Sequence, residues 1–182
     1  MKTILIILTT VFALSAEQEC HGKRVTDWVK FDKTGSEYRF HCPSNYVEWE
    51  EAERRCQRYR PTAHLVSIHS EEENDFVRKL IGDRNGNFDT YIGLTREAGQ
   101  SSNWKWTDGS TVDFEHWYLE DPSNNNNERI YERCSMMLIS RPGDKDKRWR
   151  NFYCHNGSAR SFVCKRGPSK EGKKKPTEMG NL

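Results

Sequence analysis

Tryptophans and cysteines recur in a fixed order between Trp28 and Lys165, and that order limits the folds open to this chain. Trp49-Glu-Glu-Ala52 leads to Cys56, and Tyr91-Ile-Gly93-Leu94 is followed by Trp104-Lys-Trp106-Thr-Asp108-Gly109. Cys134, Trp149, Cys154 and Phe162-Val-Cys164 close the series. Aliphatic residues are scarce: Leu, Ile, Val and Phe make up roughly 18% of the chain, under the ~20% at which disorder becomes a question. Net charge is only +2, however, and aromatic side chains bury large areas each. A small core of rings, held by crosslinks, is the expectation.

The first sixteen residues read as a secretory signal peptide, with Lys2 ahead of an apolar run and small residues at Ala13, Ser15 and Ala16. That run is too short to span a bilayer, and no later segment qualifies as a transmembrane helix. Secretion places the six cysteines in an oxidising compartment, where three disulfides are expected out of fifteen possible pairings. A zinc site is the rival reading, but no Cys-x-x-Cys spacing is present. Six Lys/Arg against two Glu in residues 165–182 put the basic excess in the tail and leave the domain before it slightly acidic.

Periodicity supplies the elements. Residues 17–27 read as a polar leader, and Trp28 to Phe40 as two extended pieces around a Lys33-Thr-Gly35-Ser turn. Trp49, Ala52, Cys56 and Tyr59 recur at three- and four-residue steps, so they share one face of a first helix. Ser70 with Glu73 forms a capping box for a second helix, whose buried stripe is Phe76, Val77, Leu80 and Ile81 and whose stop is Gly82. Leu65-Val66-Ser67-Ile68 alternates as a short strand or bridge would. Further strands are expected at Tyr91–Leu94, Trp104–Trp106, Cys134–Ile139, around Phe152 and Tyr153, and at Ser161–Cys164. Residues 107–133 form a long loop rich in turn residues, and loops of that length are functional or disordered. The tail over 166–182 reads as disordered.

The ordered series as a whole resembles the C-type lectin-like domain family over residues 28–165. The resemblance implies an α+β fold: two helices flanking a small antiparallel sheet, with a long ligand-side loop region above it. It also implies disulfides Cys56–Cys164 and Cys134–Cys154, which leaves Cys20 to pair with Cys42. Here the chain departs from the long-form members, which carry a cysteine just before the tyrosine of the first strand; Glu37 stands there, before Tyr38.

Calcium-dependent members hold the ion with Glu-Pro-Asn or Gln-Pro-Asp in the long loop, a Glu before the third family cysteine, and Trp-Asn-Asp near the last loop. At the matching positions this chain has Asp121-Pro122-Ser123, Glu132, and Trp149-Arg150-Asn151. Calcium wants six to eight oxygens, several from carboxylates. Arg150 replaces an oxygen ligand with a permanent cation, and Arg96 and Arg133 fall near further acidic positions of the family. The expectation is therefore no metal and no cofactor, with calcium as the alternative. Asp121 and Glu132 would then serve as loop salt bridges to these arginines. A ligand would be met by Trp117, Asp121, Ser123, Glu132, Arg150 and Asn151.

Other constellations carry less. His64 and His69 near Glu71–Glu73 fit no metal motif. Trp104, Trp106, Trp117 and Trp149 are expected in the core, with Trp117 the exception that could stack on a sugar. Asn156-Gly-Ser158 is an N-glycosylation acceptor. No catalytic Ser/His/Asp or free-Cys/His set is present, so an enzyme is not expected. The resemblance implies a secreted, extracellular recognition protein for a glycan or a cell or microbe surface, in a defence or host-interaction setting. Partners would be an extracellular glycan or protein, with polyanions touching the tail and no nucleic acid. Two alternatives stay open: a protein-ligand binder of venom or receptor-blocking type, and a surface-active ice- or mineral-binding protein.

Overall fold

A computed structural model of the chain describes residues 20, 24–82, 88–97, 103–119, 121–122, 131–139, 143–155, 159 and 161–168. Strands β1 (Val29–Lys30) and β2 (Glu37–His41) form the first hairpin, around the turn that contains Gly35 at φ 72°. Helix α1 (Trp49–Gln57) follows, then β3 (His64–Leu65) and helix α2 (Glu71–Ile81). The remaining strands are β4 (Thr90–Thr95), β5 (Lys105–Trp106), β6 (Cys134–Met137), β7 (Trp149–Phe152) and β8 (Ser161–Arg166).

All eight strands share one sheet, ordered β1-β2-β8-β4-β6-β7, with β3 on β8 and β5 on β4. The fold is α+β, as the resemblance implies, but the sheet is mixed: Thr90 and Tyr91 pair in parallel with Ser161 and Phe162. Parallel neighbours need a long crossover, and the chain between β4 and β8 supplies it. That connection is also the segment that carries the candidate site.

β4 is buried along nearly its whole length because both faces are covered. On one side Ile92 and Leu94 join Tyr38, Phe40, Val77, Ile81, Trp106 and Trp149. On the other, Tyr91 joins Trp49, Ala52, Cys56, Phe152 and Phe162. Each helix thus lays its stripe on a different face, α2 on the first and α1 on the second. In α1 the acids Glu50 and Glu51 sit in the first turn and Arg54 and Arg55 in the last, matching the helix dipole. Trp49 also donates its indole N–H to Ile92 O at 2.9 Å.

Three disulfides, Cys20–Cys42, Cys56–Cys164 and Cys134–Cys154, bear out the expected pairing. The second joins α1 to β8, and the third joins the start of β6 to the chain beyond β7. Gly93 sits in the middle of β4 for a steric reason. A Cβ there would lie 2.5 Å from Leu65 O and 2.9 Å from Thr107 Oγ1.

Several local expectations shift. The Leu65–Ile68 stretch is a strand only at His64–Leu65, and Ser67 is fully buried because its polar atoms are used inside. Residues 24–26 lie against β2, where Thr26 N donates to Phe40 O at 3.1 Å and Cys42 N to Arg24 O at 2.7 Å. Arg166 belongs to β8 and bonds Glu37 at 2.8 Å. Ser70 caps α2 by accepting from Glu73 N at 3.1 Å, but the Glu73 carboxylate reaches back to His69 N at 2.8 Å, one residue before the capping box expects.

Candidate functional site

The floor of the long-loop end is aromatic. Trp149, fully buried at the start of β7, donates its indole N–H to Asn74 Oδ1 at 2.9 Å. Trp106 and Phe114 meet it edge-on, each with centroids 5.6 Å away. The loop is strapped to this ring: Trp149 N donates to His116 O, and Tyr118 N to Trp149 O, both at 2.8 Å. Trp117 packs 6.0 Å from Trp149 and 4.9 Å from Trp104. It is half-buried, and its indole nitrogen is covered without a hydrogen bond. Trp117 therefore belongs mainly to the floor, and the backbone bonds of its two neighbours keep it there.

Polar groups stand at the end of β4, β6 and β7. Asn151 is 1% exposed and lies opposite Ser135 in the β6–β7 register. Its side-chain amide donates to the Glu132 carboxylate and to the Glu132 carbonyl, both at 3.2 Å. Arg96, also 1% exposed, stacks its guanidinium 4.8 Å above Trp104 and donates to the same carbonyl at 3.4 Å. Burial pulls Arg96 below the ordinary guanidinium range while the Glu132 charge acts the other way. Arg133 O is clamped to β4 by Arg96 N at 3.0 Å and by the Thr95 hydroxyl at 2.8 Å. Asp121 is half-buried, precedes a cis Pro122, and donates its backbone N–H to Tyr118 O at 2.8 Å.

Not every residue of the expected set converges. Side chains alternate across a strand, so Trp149 and Asn151 face one side of β7 and Arg150 and Phe152 the other. Trp149 lies in the α2-side cluster and Phe152 in the α1-side cluster, which confirms the alternation, and Arg150 is exposed. Arg133 turns away as well, pairing with Glu50 of α1 at 3.1 Å. Glu132, Asn151 and Arg96 are thus together, while Arg150 and Arg133 are apart from them. Ser123 and Asn156 lie outside the described residues.

These groups do not fit the calcium cage that the resemblance raises. The Asn151 amide presents N–H rather than oxygen to Glu132, and a buried guanidinium shares the Glu132 carbonyl. A second group, Glu48, Glu50 and His155, brings three ligand-type atoms together at the start of α1. His155 Nδ1 is 3.7 Å from Glu48 and 3.9 Å from Glu50. Cys134 and Cys154, close to Glu50, are committed to their disulfide.

Two buried polar centres escaped the sequence reading. Glu73, 1% exposed, accepts from the Lys165 ammonium at 2.6 Å and from the Tyr38 hydroxyl. Lys165 also bonds Ser67 O at 2.9 Å and Ser67 Oγ at 3.1 Å. Glu53 is buried on α1 and accepts from Leu65 N, His64 and Gln57 at 2.7–2.8 Å. A weak signal existed for Glu53: it lies next to Ala52 on the inward side of the helix.

The Lectin C-type domain family matches residues 45–166. Snaclec 3 of Sistrurus catenatus edwardsii is 35% identical over 136 residues, covering 71% of this chain and 80% of the relative. One chain of a snaclec coagulation factor IX/factor X-binding protein from Protobothrops flavoviridis is also 35% identical over 136 residues, with the same coverage. Among solved structures, the carbohydrate-recognition domain of a mouse scavenger receptor C-type lectin superposes with a TM-score of 0.57 at 28% identity. That match covers 78% of this chain and 94% of the mouse domain.

Proposed function

This chain belongs to the C-type lectin domain family, and on that premise we propose that it is a secreted, non-enzymatic recognition protein that binds an extracellular glycan or protein without calcium. The observation that carries the calcium-free reading is the Asn151 amide hydrogen-bonded to Glu132 over a floor that holds Arg96. Two groups that would each have to offer oxygen to an ion instead satisfy one another, and a fixed cation stands beside them. The half-buried Glu132 carboxylate keeps acceptor capacity for a ligand hydroxyl. Asp121 adds a second carboxylate from the loop. β7 is the last strand in the sheet order, so a ligand lying over that edge would also meet Arg150. A guanidinium grips a carboxylate or sulfate through two parallel hydrogen bonds.

A calcium titration followed by calorimetry and melting, together with a glycan array read with and without chelator, tests this. The expected result is array binding indifferent to chelator and no saturable calcium binding below about 1 mM, the weak end of extracellular calcium modules. Saturable binding below that concentration, or binding abolished by chelator, overturns it. The 35% identity to a chain of a factor IX/factor X-binding protein favours a second reading, recognition of a protein surface. A silent array with retention on immobilised extracellular proteins would select it.

A further inference from the structure

At the opposite end of the strand order from β6 and β7, strands β2 and β8 carry a second cluster of charge and rings. On the α1 side of β2 and β8, arginines and aromatic rings alternate in one column. The Arg166 guanidinium lies 4.2 Å over the Trp28 ring. Arg39 follows, 5.9 Å from Trp28 and 5.2 Å from Tyr59, whose rings meet edge-on at 5.1 Å. The Tyr59 hydroxyl is 3.1 Å from His41 Nε2, and His41 stacks flat on Phe162 at 4.7 Å. Register explains the column. Glu37, Arg39 and His41 of β2 stand opposite Arg166, Cys164 and Phe162 of β8, on the face turned away from Tyr38 and Phe40. Arg55, Arg58 and Arg60 flank it from the end of α1 and the turn beyond, and Arg166 donates to Arg60 O at 3.3 Å.

Charge on this face is unbalanced. Arg54, Arg55 and Arg58 share the single carboxylate of Glu51, and Arg166 uses Glu37. Glu53 is buried and already bonded to Leu65 N, His64 and Gln57. Among the described residues Arg39 has no carboxylate partner, and its Nε atom is covered without a hydrogen bond. An arginine held between two rings has lost most of its rotamer freedom before any ligand arrives, so little ordering cost remains on binding. Burial with Arg39 and Arg55 beside it pushes His41 down to about 4, as expected where the local potential is positive.

We propose that this edge, built on Arg39, Arg58, Arg60 and Arg166, is a second binding face, specific for sulfated polysaccharides. It does not depend on the long-loop site, which lies at the other end of the strand order. The chemistry favours a sulfated chain over other polyanions. Single-stranded nucleic acid needs open ring faces for its bases, and here guanidinium groups already occupy the faces of Trp28 and Tyr59. An anionic membrane needs apolar side chains to insert, and Val29, the one exposed large apolar residue of β1, β2 and β8, stands opposite Tyr38 and so faces the other side of the sheet. What remains is a row of guanidinium groups, whose partners are compact anionic groups bound through charge-assisted hydrogen bonds.

The test uses the full chain on heparin and dextran sulfate, with single-stranded DNA and phosphatidylserine vesicles in parallel. Arg58→Gln/Arg60→Gln removes two exposed cations together with the Arg60 bonds to Gln57 O and Tyr59 O, and Arg39→Gln removes the stacked one. The double variant should lose on the order of 10-fold in heparin affinity at 0.15 M salt. Its slope of log affinity against log salt should fall by roughly one to two. Lys79→Gln, exposed on α2, should bind like the parent chain. Lys173→Gln/Lys174→Gln/Lys175→Gln tests the tail separately and should keep most of the binding. The proposal is overturned if the parent chain ignores heparin or if Arg58→Gln/Arg60→Gln and Arg39→Gln bind unchanged. It also fails if the loss is confined to the tail variant, or if DNA or vesicles bind as tightly as heparin.

Discussion

Replacing Lys165 by methionine keeps the aliphatic stem and removes an ammonium that is 11% exposed from a carboxylate, Glu73, that is 1% exposed. The loss strands the Glu73 charge inside the α2-side core. Breaking a buried pair by deleting one partner costs about 3–5 kcal/mol. Glu73 keeps two donors, His69 N at 2.8 Å and the Tyr38 hydroxyl, which argues for the lower end. Burial and the adjacent Glu73 charge hold the Tyr38 phenol far above its ordinary range, so it remains a donor throughout. A loss of about 3 kcal/mol corresponds to a melting shift of roughly 10 °C for a domain of this size. Urea denaturation of Lys165→Met, Glu73→Gln and the double variant measures the coupling. The double variant should be more stable than Lys165→Met alone, because Glu73→Gln removes the stranded charge and keeps an acceptor for Tyr38. A loss below about 1 kcal/mol, the range of an exposed ion pair, would refute the reasoning. So would a double variant whose loss is simply the sum of the two singles.

His41 carries a pH dependence. Its folded value of about 4 lies below the ordinary 6.5, through burial first and then the charges of Arg39 and Arg55. The unfolded chain therefore takes up the proton first as pH falls. Stability is fully present above pH 6.5 and declines from there to about pH 4, by about 3 kcal/mol at most. Denaturation curves across that range should show the slope in the parent chain, and His41→Gln should flatten it. Gly93→Ala places a methyl group 2.5 Å from Leu65 O, where only backbone displacement relieves the clash, so a loss of at least about 2 kcal/mol is expected in a thermal melt.

The element plan was legible because its signals are local. Helix periodicity places Ala52 and Cys56 on one face, the capping residue Ser70 marks the start of α2, and the Gly93 and Trp106 motifs announce paired strands. The cysteine pairing came from the resemblance, since the spacings alone permit fifteen schemes. The site was legible in its residue types but not in its geometry. Glu132 and Asn151 do meet, yet Arg150 does not join them, because strand alternation turns it to the other face of β7.

By itself, then, the sequence determined what nearest neighbours along the chain decide: element types, helix caps, the inward helix faces and the aromatic character of the core. Tertiary structure alone decided what depends on register between distant segments. The parallel pairing of β4 with β8, the burial of Lys165 against Glu73, and the column of Arg39 and Arg166 on Trp28 and Tyr59 all belong to that second kind. Each rests on segments far apart in sequence settling against one another. No local pattern records that choice, because a shift of one residue would leave the same pattern and turn every side chain to the other face.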